Sequence, residues 1–130
     1  MGEIIPRWEW RSFDRQLGTA ESRLQALTPG GVQESDEIYL LHGTGDNVKV
    51  RDRLMDIKVL KQVDEDGLEQ WTPVMKQSFP LPAAAVAKVH EALRLPVPSL
   101  SRPGYSLDEF IADFAAPGSA IRAVRVHKRR

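Results

Sequence analysis

A run of short segments in which apolar and polar residues alternate is the feature that most constrains this chain. The segments are separated by turn sequences and cover residues 35–42, 47–52, 54–62 and 68–77. In residues 47–52 (NVKVRD), two valines alternate with Lys49 and Arg51. Because successive side chains of a β-strand point to opposite faces of a sheet, each segment predicts a strand with one buried face. The short turns between the segments predict an antiparallel meander.

The turns themselves have typical turn chemistry. GTGD at residues 43–46 and VDEDG at residues 63–67 are rich in Gly and Asp, and a tight turn is predicted near Asp52 and Arg53. Pro73 interrupts the last segment of the meander. Since proline cannot donate a ladder hydrogen bond, this strand is predicted to lie at a sheet edge or to carry a bulge.

Two further strands are predicted at the ends of the chain. Residues 6–13 (PRWEWRSF) alternate charged side chains with Trp8 and Trp10, which predicts a charged face and a buried aromatic face. Residues 120–130 (AIRAVRVHKRR) alternate apolar and basic residues up to Arg130. Because a strand needs a partner, we expect the natural chain to continue beyond this point.

Helical spacing of apolar residues predicts three helices. A stripe from Phe13 to Leu27 ends at a Pro-Gly-Gly sequence, and a second helix opens at Pro82. Ser106 and Glu109 have the spacing of a capping box, which predicts a short helix that stops before Pro117. A linker rich in Pro and Ser, residues 96–105, precedes this last helix. Strands and helices together predict the α+β class.

The composition is that of an ordinary globular protein. With 130 residues, 42% hydrophobic and 28% charged, the chain predicts a single domain over residues 1–130. Eighteen basic and eighteen acidic residues cancel, so we expect no nucleic-acid partner. The absence of a signal peptide or a long apolar run predicts a cytoplasmic protein with no membrane partner. With no cysteines, carboxylates, His or water would hold any metal, which favours a hard cation.

Several predicted strands have one charged face, and antiparallel strands of a curved sheet bring such faces together. The candidate site residues are Arg7, Glu9, Arg11, Lys49, Arg51, Lys58 and Lys76. Many cations with a few carboxylates suit a phosphorylated ligand that carries a divalent cation. The alternative is that these residues form the solvated polar face that antiparallel sheets normally have.

The order of elements, with RWEWR in the first strand, VKVRD in the third and WTPVMK in the last of the meander, resembles the N-terminal half of the CYTH superfamily, the triphosphate tunnel metalloenzymes. The resemblance covers roughly residues 6–80, and residues 120–130 resemble the first strand of that family's second half. It implies a CYTH-like half domain, in which an antiparallel sheet with flanking helices forms half of a barrel. It also implies a triphosphate-containing ligand.

The family's first-strand motif, E-x-E-x-K, falls on Arg7, Glu9 and Arg11. The resemblance therefore implies that Glu9 binds a metal, Mg²⁺ or Mn²⁺, whereas Arg7 replaces the first carboxylate of the motif. It also implies that the basic residues bind phosphate; these are Arg7, Arg11, Lys49, Arg51, Lys58 and Lys76. Hydrolysis of the triphosphate is expected only if a second half completes the site. The alternative is a non-enzymatic module that binds phosphate ligands or proteins.

Other motifs do not support a different chemistry. The sequence GTGDN lacks the pattern and the following helix of a phosphate-binding loop. His42, His90 and His127 lack the spacing of metal ligands, so each is expected to be structural. Trp8, Trp10 and Trp71 are interpreted as packing residues rather than as stacking platforms for bases. Open sheet edges predict that two copies pair into a homodimer that completes the barrel.

Overall fold

The structure, a computed structural model, describes residues 7–43 and 46–130. Its strands are β1 (Arg7–Glu9), β2 (Glu34–Leu41), β3 (Asn47–Arg51), β4 (Leu54–Val63), β5 (Glu69–Ser78), β6 (Leu81–Pro82), β7 (Gly104–Tyr105) and β8 (Arg122–Arg129). Its helices are α1 (Gly18–Gln25), α2 (Ala83–Ala92) and α3 (Leu107–Phe114). The α+β class predicted from the sequence is confirmed.

Six strands form one antiparallel sheet in the order β1-β5-β4-β3-β2-β8, and β6 pairs with β7 in a separate ribbon. The meander from β2 to β5 is as predicted, with each strand beside the next. In the described part of the chain, β1 and β8 do not pair with each other, so the sheet is open rather than closed into a barrel. The final strand finds its partner in β2 over eight residues.

The hydrophobic core lies between one face of the sheet and the helices α2 and α3. Alternate residues of β2, β3 and β4 bury their side chains there, for example Ile38, Val48 and Ile57. From the helical side, Val86 of α2 and Phe110 of α3 enter the same cluster. The core therefore covers one face of the sheet. The opposite face carries the polar residues that alternate with the core residues along each strand.

The tight turn between β3 and β4 follows the prediction. Arg51 pairs with Leu54, and Asp52 and Arg53 between them have φ values of +52° and +60°. Two successive residues with positive φ are typical of the two-residue hairpin turn that matches the twist of the strands. In the turn predicted at residues 43–46, Thr44 and Gly45 lie outside the described residues, as does Pro6 of the first predicted strand.

For the strand around Pro73, the sequence predicted either an edge position or a bulge. The register of β4 against β5 shifts between Ile57 and Lys58, where Lys58 pairs with Pro73, so the predicted bulge is confirmed. β5 as a whole is not an edge strand, because β1 pairs with Glu69–Trp71 on its far side, but among the described residues this pairing does not reach Pro73. The register shift leaves Val74 without an opposite residue in β4, which relaxes the regular ladder beside the proline.

The starts of both core helices agree with the sequence. Pro82 is the N-cap of α2. The Ser106 side chain accepts a hydrogen bond from the Glu109 backbone, and the Glu109 carboxylate accepts one from the Ser106 backbone. This reciprocal pair is the predicted capping box. Within the segment predicted as a linker, residues 96–105, Tyr105 of β7 is fully buried.

The first part of the chain departs from the predicted packing. Helix α1 is shorter than the predicted stripe and has no buried residue. Trp8 and Trp10 are 46% and 68% exposed, so the predicted burial of an aromatic face is wrong. No described residue of β1 or α1 belongs to the core cluster. Across the described residues, no helix has the length and apolar character needed to cross a membrane.

Candidate functional site

The polar face of the sheet carries two adjoining concavities, of about 710 Å³ and 330 Å³. All seven residues predicted from the alternating pattern line one or both of them: Arg7, Glu9, Arg11, Lys49, Arg51, Lys58 and Lys76. Four residues, Arg7, Arg51, Lys58 and Trp71, line both concavities and so form the boundary between them. The structure thus brings the predicted residues to one surface, as the alternation requires.

Basic side chains dominate this surface although the whole chain is neutral. The two concavities together are lined by eight basic and two acidic residues. Lys128 and Arg130, which the sequence prediction did not include, complete the basic set. The two edge strands of the sheet, β1 and β8, both contribute basic residues, so the positive charge extends across the width of the sheet.

A buried carboxylate offsets part of the positive charge on one side of this basic face. The Glu37 side chain on β2 has no exposed surface. Its Oε1 lies 2.7 Å from Arg130 Nη2, 3.6 Å from Lys49 Nζ and 4.0 Å from Arg51 Nη1. Its Oε2 lies 3.3 Å from Lys128 Nζ. Lys128 also donates a hydrogen bond to the hydroxyl of Tyr39, and its ammonium lies over the Tyr39 ring.

The surroundings of Glu37 determine its ionisation. Burial alone would raise the pKa of the Glu37 carboxyl, but the hydrogen bond from Arg130 and the charges of Lys49 and Lys128 outweigh it and lower the pKa to about 2. Burial lowers the pKa of Lys49, and the attraction of Glu37 partly opposes this. Glu37 is therefore a fixed negative charge at neutral pH.

On the β1 side, the acidic residues are also engaged by arginine. Arg11 Nη2 donates to Glu9 Oε2 at 2.8 Å, and its Nε lies 3.9 Å from Glu69 Oε2. The same guanidinium lies over the ring of Trp71, with its Cζ 5.1 Å from the ring centroid. The hydrogen bond from Arg11 lowers the pKa of Glu9. Glu9, the last residue of β1, is thus held as a carboxylate by Arg11, which follows two residues later.

Three of the predicted basic residues differ from the others. Of the described residues, no carboxylate lies within 4.0 Å of the charged groups of Arg7, Lys58 or Lys76. All three line the smaller concavity. Asp56, which is buried in the same wall, has its Oδ2 3.8 Å from Arg51 Nη2 and no hydrogen-bond partner for that oxygen. Three cations that have no carboxylate within 4.0 Å among the described residues therefore line one concavity, together with the buried Asp56.

The carboxylates of this face are poorly arranged for the metal that the resemblance implies. Glu9 and Glu37 are each bound by arginine, and Asp56 lies beside Arg51. Among the described residues, no group of three His, Cys, Asp or Glu side chains comes together as metal ligands. These residues form ion pairs with basic side chains rather than a group of free carboxylates. The assignment of Glu9 as a ligand for Mg²⁺ or Mn²⁺ stays a prediction.

Several residues of this surface were missed by the sequence reasoning. They are Tyr39, Glu37, Asp56, Lys128 and Arg130. A signal for two of them existed, because Glu37 and Tyr39 alternate with the core residues Ile38 and Leu40. The burial of Glu37 had no local signal, since its partners come from β3 and from the end of the chain.

The three histidines make contacts within the fold. His90 is buried, its Nδ1 lies 2.9 Å from the Val86 carbonyl oxygen, and its ring contacts Phe114 edge-on. His127 Nδ1 lies 2.8 Å from Asp36 Oδ1 on the core side of the β2–β8 pair. None of the histidines lines the two concavities.

No protein-family model, no curated protein and no solved structure matches this chain. The resemblance to the CYTH superfamily therefore depends on short sequence motifs, such as those around Glu9, Arg51 and Lys76. Membership of that superfamily stays a prediction.

Proposed function

We propose that the polar face of the sheet binds an oligophosphate anion, with a triphosphate as the reference ligand. The observation that carries the proposal is the smaller concavity, which Arg7, Lys58 and Lys76 line and where no described carboxylate lies within 4.0 Å of their charged groups. The one acidic residue that lines it, Asp56, lies beside Arg51. The alternative is that these residues form the ordinary solvated face of an antiparallel sheet, and it predicts cations that are spread out or paired with acids. A cluster of three like charges is instead an arrangement that an anion would stabilise.

The position of the three cations suits a short chain of phosphates. Lys58, Lys76 and Arg7 lie on β4, β5 and β1, which are neighbours in the sheet. Because neighbouring strands are about 4.8 Å apart, the three backbones span about 10 Å. The guanidinium of Arg7 can pair with two phosphate oxygens, while the two ammonium groups act as point charges. Arg11, Lys49 and Arg51 add to the positive potential from within their ion pairs.

The wider interpretation adds a CYTH-like half-barrel and a cytoplasmic protein to this binding function. In that interpretation, a triphosphate with Mg²⁺ or Mn²⁺ is hydrolysed only when a second half, or a second copy, supplies further acidic residues. One observation favours the alternative of binding without turnover. The carboxylates Glu9 and Glu37 are already engaged by arginines of this chain.

Calorimetric titration with tripolyphosphate tests the proposal. The protein should bind it, and the double variant Lys58→Gln/Lys76→Gln should bind at least about tenfold more weakly, because two charge-assisted contacts are removed. The double variant Lys61→Gln/Lys88→Gln makes the same change of charge at exposed residues outside the two concavities. It should lose less than about threefold, as expected for long-range screening.

The same titration includes arms with and without Mg²⁺, followed by an assay for released phosphate. Binding that is equal in both arms, with no release, would favour the binding module over the hydrolase. Equal losses in the two double variants would contradict a site at Lys58 and Lys76.

A further inference from the structure

Exposed aromatic side chains lie among the cations of the basic face. Trp10 and Phe13 line the larger concavity, together with seven basic residues and one acidic residue. Trp10 is 68% exposed and Phe13 is 88% exposed. Exposed apolar side chains that are rimmed by polar groups are typical of a surface that binds a partner.

The two aromatic residues belong to a longer segment that is rich in exposed apolar side chains. Of the eleven large hydrophobic side chains that are exposed among the described residues, seven lie within residues 8–32. Helix α1 follows Phe13 and has no buried residue, and its Leu24 is 65% exposed. None of these seven side chains belongs to the described core cluster, so a partner can contact them.

We propose that this face docks on a membrane that carries polyphosphorylated lipid headgroups. The basic residues bind the headgroup phosphates, while Trp10 and Phe13 enter the interfacial layer of the bilayer beside them. Aromatic side chains are favoured at that depth, because their rings are apolar and the indole N–H keeps a polar partner. The inference rests on the proposed function and names the source of its phosphates. It differs from the expectation, drawn from the sequence, of no membrane partner.

The charge of the face selects this occupant over a second copy of the chain. In a face-to-face contact, a second copy would bring seven further basic residues towards the first seven, and like charges repel. An uncharged apolar partner would cover Trp10 and Phe13 but would leave the cations without counter-charges. An anionic bilayer satisfies both groups, because it offers negative headgroups above an apolar layer.

The concave shape of the face favours headgroups that carry several phosphates. A headgroup with a single charge that lies flat at the bilayer surface would reach few of the cations. A headgroup with several phosphates projects from the bilayer and can enter the adjoining concavities, both of which are lined by Arg7 and Lys58. Nucleic acid is a less suitable polyanion, because bases stack on aromatic rings but not on exposed leucines such as Leu24 and Leu27.

Vesicle co-sedimentation tests the proposal with phosphatidylcholine vesicles that contain phosphatidylinositol bisphosphate. The unmodified protein should bind them more tightly than vesicles that contain phosphatidylserine at equal total charge. Trp10→Ala/Phe13→Ala should bind the first vesicles at least about tenfold more weakly, because two aromatic side chains no longer enter the interface. The same variant should bind soluble tripolyphosphate within about threefold of the unmodified protein, since all of the cations remain.

The matched control is Leu41→Ala/Val63→Ala, which removes apolar surface elsewhere. Leu41 and Val63 are 45% and 55% exposed and line neither concavity, so vesicle affinity should fall less than about twofold. Equal losses in the two double variants would overturn the proposal. Equal affinity for the two kinds of charged vesicle would also overturn it.

Two further ligands separate the possible sources of phosphate. If soluble inositol trisphosphate binds as tightly as the vesicles, the site takes free phosphate compounds, which overturns the inference and leaves the proposed function intact. If a single-stranded oligonucleotide binds more tightly than the vesicles and is lost in Trp10→Ala/Phe13→Ala, the aromatic residues contact bases and the inference is overturned. Failure of the unmodified protein to bind tripolyphosphate would overturn the proposed function and the inference with it.

Discussion

Glu37 is a fully buried acid that is stabilised by cations from two neighbouring strands. Its pKa of about 2 lies below the ordinary value of 4.5, because the hydrogen bond from Arg130 and the charges of Lys49 and Lys128 outweigh the effect of burial. A carboxyl whose pKa is lower in the folded state stabilises the fold above its unfolded-state pKa. That stabilisation is lost as the pH falls towards the folded-state pKa.

We therefore predict that the free energy of unfolding falls between pH 5 and pH 2 by an amount on the order of 3 kcal/mol from Glu37. Urea unfolding at a series of pH values measures it. Glu37→Gln should be less stable at pH 7, because four cations lose their counter-charge, and should show a shallower pH dependence. An unchanged slope in Glu37→Gln would contradict the assigned ionisation.

At the residue scale, the sequence predicts the features that depend only on residues close together in the chain. The positions of Lys49, Arg51 and Lys58 on one face follow from a period of two. The role of Glu37 does not follow, because burial depends on β3 and β8, and β8 lies more than eighty residues away along the chain. Which basic residues are engaged by acids could not be predicted for the same reason.

At the scale of elements, the order of strands and helices was predictable because each has a local signal. The alternation defines β2 to β5, and the cap at Ser106 defines the start of α3. The short pair of β6 and β7 was not predictable, since two-residue strands leave no period to detect. The predicted burial of the apolar stripe of α1 was wrong, because burial depends on tertiary packing and not on the spacing of residues. Its apolar stripe has the helical spacing, but no described element covers it.

The matched substitutions Leu24→Ala and Leu93→Ala test the different packing of α1 and α2. Leu24 is 65% exposed, whereas Leu93 at the end of α2 is 1% exposed. Loss of a buried leucine removes transfer free energy and leaves a cavity, so Leu93→Ala should cost about 2–5 kcal/mol. Leu24→Ala should cost less than about 0.5 kcal/mol. Equal losses, measured by urea unfolding, would show that α1 packs against the core.

At the scale of the whole molecule, the described chain is an open sheet with α2 and α3 on one side and a charged face on the other. The edges of this sheet are β1 and β8, and exposed apolar side chains gather in the first part of the chain. Such edges and side chains are typical of surfaces that pair with another chain. The homodimer that would complete the barrel remains a prediction at this scale, as does the CYTH-like half-barrel itself.

The gathering of basic side chains on one face of the sheet gives the whole molecule its central claim. Positive charge extends from β1 to β8, and the buried carboxylate of Glu37 offsets part of it on the side nearest β8. The cations that have no carboxylate within 4.0 Å among the described residues, Arg7, Lys58 and Lys76, lie over β1, β4 and β5. A chain with no net charge can thus carry a local anion site, because the arrangement of charges matters more than their sum.

The most direct test of this claim is a backbone and side-chain NMR titration of the isotope-labelled protein with tripolyphosphate. We predict the largest shifts at Arg7, Lys58, Lys76 and the indole N–H of Trp71, with smaller shifts at Lys128 and Arg130. This pattern would locate phosphate in the smaller concavity. Largest shifts at Lys128 and Arg130, or shifts of equal size on α2 and α3, would contradict the claim.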